Sequence, residues 1–121
     1  MIPFINRFHG HNSLSYVYKN GRAIHAHWFI IKTTLNPHRK NSRFAVVISK
    51  KVLKSAVKRN RVRRQVYEYI NTKLMPKLND TYDIAIIATS GELFTASQDD
   101  IFNQLDQIFG QINIQKTSKK V

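Results

Sequence analysis

Eight cations fall within fifteen residues: Lys50, Lys51, Lys54, Lys58, Arg59, Arg61, Arg63 and Arg64, with no acid among them. Ammonium and guanidinium groups at that density hold polyanions. Arginine adds a planar fork that binds phosphate through two hydrogen bonds and stacks on bases, which lysine cannot do. The wider charge distribution points the same way. Residues 1–75 carry 16 Lys and Arg against the single acid Glu68, whereas residues 76–121 carry four Lys against six acids, in a chain of net charge +13. Charge of one sign at this level repels itself, and a bound polyanion relieves the repulsion. Nucleic acid is the expected partner.

Other chemistries find less support. The absence of cysteine rules out disulfides, thiolate nucleophiles and thiolate metal sites. His25 and His27 alternate, so on a strand they share a face and could hold a metal. No acid lies near them in sequence, and a surface or nucleic-acid-facing pair is the plainer reading. His9 and His11 read as an accidental pair. Asp99 and Asp100 have the spacing of paired catalytic carboxylates, but they sit where a helix start wants acids. There is no Ser-His-Asp set, glycine-rich phosphate loop or Walker pattern, so nothing in the chain looks able to cleave nucleic acid unaided. Met1-Ile2-Pro3-Phe4-Ile5 is followed at once by Asn6, Arg7, His9 and His11, which leaves no secretory core. No apolar run approaches the ~20 residues of a membrane span. A soluble, cytoplasmic protein is expected.

The elements that must position these residues follow from periodicity. Ser13 to Asn20 predicts a short helix through Leu14, Val17 and Tyr18, stopped by Gly21. Ile24 to Thr34 predicts one strand; Trp28 and Phe29 take opposite faces, so only one can be core. A polar loop, Leu35 to Ser42, leads to a second strand, Arg43 to Ser49. Ser55 can cap a long helix running to about Leu74, where Pro76 forbids much more. Its apolar stripe is Val62, Val66, Tyr69, Ile70 and the stem of Lys73. Tyr82 to Thr89 is a third strand. Ser97 caps a last helix with its stripe at Ile101, Phe102, Leu105, Ile108 and Phe109, and Gly110 ends it. The order predicts an α+β fold: one domain spanning 1–121, helices on one face of a small sheet, with flexible ends near 1–10 and 112–121.

Wound on a helix at about 100° per residue, the basic run becomes amphipathic. Val62 and Val66 mark the buried side. Asn60 and Arg64 point nearly opposite, Arg59 and Arg63 lie on one shoulder and Arg61 on the other. Ordinary surface helices interleave both signs at i, i+4, but here no acid appears before Glu68. Lys54, Lys58 and Arg59 also crowd the helix start, where the macrodipole disfavours each cation by roughly 0.3–1 kcal/mol. A bound phosphate would remove that penalty.

Ser49-Lys50-Lys51-Val52, followed by Ala56-Val57-Lys58-Arg59-Asn60-Arg61-Val62-Arg63-Arg64, resembles the signature of the bacterial ribonuclease P protein subunit. In that family a strand ends in Ser-Lys-Lys and a helix opens on an Arg-Asn-Arg motif. Arg7 and Val17-Tyr18-x-x-Gly21-Arg22 resemble its first helix and the turn after it, and the likeness runs from about Arg7 to Gln111. The resemblance implies an α/β sandwich with a mainly antiparallel sheet and a left-handed βαβ crossover, similar to ribosomal protein S5 domain 2, against the usual right-handed rule.

It also implies a job. The chain would bind the catalytic RNA of ribonuclease P and the 5′ leader of precursor tRNA, promoting endonucleolytic removal of the leader. The RNA, with magnesium bound mainly by it, would do the chemistry. The protein would be monomeric when free. Lys50, Lys51, Lys58, Arg59, Asn60, Arg61, Arg63 and Arg64 would face the catalytic RNA; Tyr18, Arg22, Phe29 and Lys32 would face the leader. Three departures stand out. Leu53-Lys54-Ser55 replaces an expected glycine in a loop one residue longer, Leu14 replaces a usual Phe, and Lys32 replaces a cleft aromatic. Leader contact would then lean on charge more than on stacking. The alternatives are a ribosomal or ribosome-assembly RNA-binding protein and a stand-alone nuclease. Any RNA-binding reading through the basic run predicts steep salt dependence. Each phosphate neutralised adds about 0.7–0.9 to the slope of log K against log salt. A flat titration of affinity against salt would remove this run as the contact surface.

Overall fold

The computed structural model describes residues 22–35, 41–78 and 80–110. The expected helix over 13–20 and both chain ends lie outside them. Four strands form one sheet: β1 (Arg22–His25), β2 (Phe29–Leu35), β3 (Arg43–Val47) and β4 (Tyr82–Ala88). Their spatial order is β1-β2-β4-β3. β1 pairs antiparallel with β2 and β2 antiparallel with β4, while β3 pairs parallel with β4. Parallel neighbours need a crossover. Here it contains helix α1 (Ala56–Tyr69), and helix α2 (Gln98–Gly110) closes the described chain.

The predicted single strand over Ile24 to Thr34 is instead a hairpin. Ala26, His27 and Trp28 turn the chain, with the Ala26 amide donating to the Phe29 carbonyl at 2.9 Å. The turn contains no Gly, Pro, Asn or Asp, the residues that usually mark one. It is fixed from outside: the Thr89 amide donates to the Trp28 carbonyl at 2.8 Å and the Trp28 indole Nε1 donates to Glu92 at 3.0 Å.

Register decides which side chains meet the helices. Phe29, Ile31 and Thr33 of β2 stand beside Ala88, Ile86 and Ile84 of β4, and these beside Phe44 and Val46 of β3. All are buried, in one core with Val62, Val66, Tyr67, Tyr69 and Ile70 before the chain rises to α2 and its Ile101, Leu105, Ile108 and Phe109. Of the two neighbouring aromatics, Phe29 is the core residue. Tyr69 ties α1 to α2: its ring packs edge-on to Phe102 and stacks with Phe109, and its hydroxyl donates to Asp106 Oδ1 at 2.8 Å. Burial and the neighbouring carboxylate push this phenol well above its ordinary range.

Both predicted caps form. Ser55 Oγ accepts from the Lys58 amide at 3.3 Å, and Ser97 Oγ accepts from the Asp100 amide at 3.1 Å. The long helix does not stay α to Leu74. It widens into a π turn over Ile70–Leu74 and tightens into a 3₁₀ turn over Met75–Lys77. Pro76 explains the change, since its ring would clash with the carbonyl four residues back in a continuous α-helix. Lys73 lies exposed, with its Nζ 5.6 Å from the centre of the Phe102 ring.

On the opposite sheet face, Arg43 and Asp83 stand side by side at the start of β3 and β4. Nη2 meets Oδ2 at 2.7 Å and Nε meets Oδ1 at 3.0 Å, with side chains 12% and 6% exposed. Removing one partner leaves a nearly buried charge. Asp83→Ala should therefore destabilise the fold by about 3–5 kcal/mol, read from urea denaturation at neutral pH.

Candidate nucleic-acid interface

The parallel pairing of β3 with β4 places the C-terminal ends of β1, β3 and β4 and the start of β2 at one end of the sheet. The Ser49–Val52 turn, the first turn of α1, the Ala26–Trp28 turn and the 3₁₀ turn Gly91–Phe94 all follow from strands ending there. Lys50 and Lys51 ride exposed on the first of these turns. Ser49 shapes it: its carbonyl accepts from the Val52 and Leu53 amides, both at 3.1 Å, and its Oγ accepts from the Val52 amide at 3.3 Å.

The longer loop over Leu53-Lys54-Ser55 now has a physical account. Leu53 is buried in the core, Ser55 caps α1, and Arg59 holds the segment between them. Arg59 Nη1 donates to the Leu53 and Lys54 carbonyls, each at 2.8 Å. Arg59 was predicted as an RNA contact; its guanidinium is here turned back on the loop that carries the lysines.

Along α1 the burial follows the predicted crest. Val62 and Val66 are buried, Asn60, Arg61 and Arg64 exposed, and Lys58, Arg59 and Arg63 half-buried. Tyr67 is a further core contact that the stripe did not include. The first turn of α1 holds no acid. Asn60 Oδ1 accepts from Arg63 Nη1 at 2.8 Å, so the pair is braced at i, i+3. The face can do what a fixed array of guanidinium and ammonium groups does, which is to track a phosphate backbone.

The predicted leader residues are not brought together. Tyr18 lies outside the described residues. Phe29 is fully buried on the helix-packed face, so its ring cannot stack on a leader strand, and that expectation is corrected. Lys32 takes the other face, in register with Ala23 and Ala85. Arg22 is exposed in edge strand β1, in register with Thr33 and thus on the face opposite Lys32, at the far end of the sheet from the Ser49–Val52 turn.

Sequence reading missed one cluster at the basic end. Glu92 Oε1 accepts from Trp28 Nε1 and stands 3.3 Å from His27 Nε2. The indole hydrogen bond chiefly, with His27 adding to it, holds the Glu92 carboxyl below its ordinary range. His25 and His27 do not share a strand face, because the turn separates them. Among the described residues no group of three His, Cys, Asp or Glu could hold a metal. No sequence signal joins Glu92 to residues 64 positions away; only the strand register does.

Arg59→Ala should release the Leu53-Lys54 carbonyls. A charged hydrogen bond is worth about 1.5–3 kcal/mol, so a comparable loss of stability is expected in urea melts. Amide exchange should rise over residues 50–55. Arg61→Ala, with no carbonyl to release, should leave both measurements near wild type.

The Ribonuclease P family profile matches residues 3–113. The Ribonuclease P protein component of Prochlorococcus marinus strain AS9601 is 36% identical over 90 residues, covering 65% of this chain and 70% of the relative. That of Synechocystis sp. is 30% identical over 99 residues, covering 81% and 77%. In fold, the chain is similar to the Staphylococcus aureus RNase P protein, with a TM-score of 0.80 at 22% identity over 90% of this chain and 96% of that one. The Thermotoga maritima RNase P protein gives a TM-score of 0.73 at 20% identity over 83% and 91%. The basic turn and the Arg-Asn-Arg helix thus sit within a match that takes in nearly the whole sequence, and the chain belongs to the ribonuclease P protein family, the protein component of a ribonucleoprotein endoribonuclease.

Proposed function

We propose that this chain works as the protein subunit of a bacterial, cytoplasmic ribonuclease P, entering the complex as a monomer. The Ser49–Val52 turn and the outer face of α1 seat on the catalytic RNA. Lys32 and Tyr18 meet the 5′ leader of precursor tRNA, Arg22 standing on the opposite sheet face, and endonucleolytic removal of that leader is the reaction served. The observation that carries this reading is the density of exposed cations on that face, where Glu68 is the one acid in α1. Lys50, Lys51, Arg61 and Arg64 are exposed on a turn and helix whose buried sides are locked into the core.

The division of labour follows from residue chemistry. Guanidinium and ammonium groups stay protonated at neutral pH and hold phosphate; they are poor general bases. Magnesium, bound mainly by the RNA, would supply the activation of water. This chain contributes charge neutralisation and orientation. With the aromatic Phe29 in the core, leader contact rests on lysine and arginine more than on base stacking.

The test is reconstitution. Added to a bacterial ribonuclease P RNA at low magnesium, the chain should raise the rate of precursor tRNA cleavage. The Arg61→Gln, Arg64→Gln double variant should lose most of that gain, and raised magnesium should restore part of it. No gain from the unaltered chain would sink the proposal.

A further inference from the structure

Arg61 and Arg64 do more than face outward. With Gln65, Glu68 and, from the first residue of α2, Gln98, they line an open depression of about 400 Å³ between the two helices. Its chemistry is mixed in a way that the rest of the basic face is not. Glu68 is the only acid in residues 1–75, and it stands here. Arg64 and Glu68 have the i, i+4 spacing at which opposite charges meet. Yet among the described residues they form no ion pair within 4.0 Å. Gln65 Oε1 is buried and accepts no hydrogen bond among the described residues. Gln65 lines the depression, and the terminal amide torsion of glutamine is soft.

Two guanidinium donors, one carboxylate and one unsatisfied carbonyl do not suit a bare phosphate, because the carboxylate repels it. They suit a group with an anionic part and a hydrogen-bond donor a few ångströms apart. We infer that this depression takes one unpaired RNA nucleotide, with its phosphate on Arg61 and Arg64 and a sugar or base donor on Glu68 and Gln65. The donor is either a ribose 2′-hydroxyl or a base N–H, groups that unstacked RNA presents. Glu68 and Gln65 are then selectivity residues within a surface otherwise built for phosphate. The inference rests on the proposal that α1 binds RNA.

The sign of one mutational effect separates this from plain electrostatics. If Glu68 only sat near phosphates, Glu68→Gln would remove a repulsion and tighten binding. If its carboxylate accepts a hydrogen bond from the nucleotide, the same change weakens binding. Affinity of the full chain for a bacterial ribonuclease P RNA would be measured across a salt series for wild type, Glu68→Gln and Gln65→Leu. The expected result is a loss of about tenfold for Glu68→Gln, the scale of one charged hydrogen bond, and a smaller loss for Gln65→Leu. The salt slope should stay unchanged, because the phosphates neutralised are the same. Glu68 is exposed, so that variant should melt with the wild type.

Chemical probing of the bound RNA assigns the donor. Protection of a base edge that is lost in Glu68→Gln indicates a base N–H; protection of a 2′-hydroxyl indicates the sugar; neither overturns the inference. Equal or tighter binding by Glu68→Gln, with wild type still steeply salt-dependent, overturns it while leaving RNA binding by α1 intact. A flat salt response in wild type overturns both.

Discussion

The parallel pairing of β3 with β4 is the constraint on which the functional surface depends. Val47 lies beside Ile87 and Arg43 beside Asp83, so the chain leaving β3 must travel the length of the sheet before β4 can begin. That return is made mainly by α1 and the π and 3₁₀ turns after it. The helix therefore starts at the end of the sheet where β3 finishes. The lysines of the Ser49–Val52 turn and the arginines of α1 become neighbours for that reason. An antiparallel β3–β4 pair could have been joined by a short turn, with no need of a helix on the sheet.

Concentrated charge opposes this arrangement, and the structure meets it in two ways. Below α1, the large side chains Val62, Val66, Tyr69 and Ile70 are buried, and burial of each contributes about 1.5–3 kcal/mol. Above, two of the cations are held by neutral oxygens. Arg59 rests on two backbone carbonyls and Arg63 on the amide of Asn60. Neutral acceptors orient a guanidinium without cancelling its charge, whereas acids at the same positions would order the helix and abolish the field that attracts a polyanion. Glu68 is the exception, and it sits beyond the Arg-Asn-Arg core.

Much of this was legible because it is written in local chemistry. Ser55 and Ser97 announce their caps, the Val62/Val66 stripe announces the buried side, and Pro76 announces the end of a regular helix. The hairpin was not legible, since Ala26-His27-Trp28 carries no turn residue and is shaped by Thr89 and Glu92 from distant chain. The same reason hid the Trp28–Glu92 contact and misplaced Phe29. Alternation shows that residues 28 and 29 oppose each other, but which of them faces the helices is settled by register across β2 and β4. Arg59 was read by residue type, which identifies a phosphate binder but not the carbonyls that its own loop presents.

Gly91 has a bearing on how a load at one turn would spread. A Cβ there would stand 3.2 Å from the Val52 carbonyl, so the backbone of the Gly91–Phe94 turn lies close against the turn that carries Lys50 and Lys51. The next residue, Glu92, holds Trp28 and with it the hairpin between β1 and β2. Three loops from distant stretches of chain thus rest on one another in series, like stones in an arch. The basic end of the molecule is a braced block, able to hold its shape while a much larger polymer is seated against it.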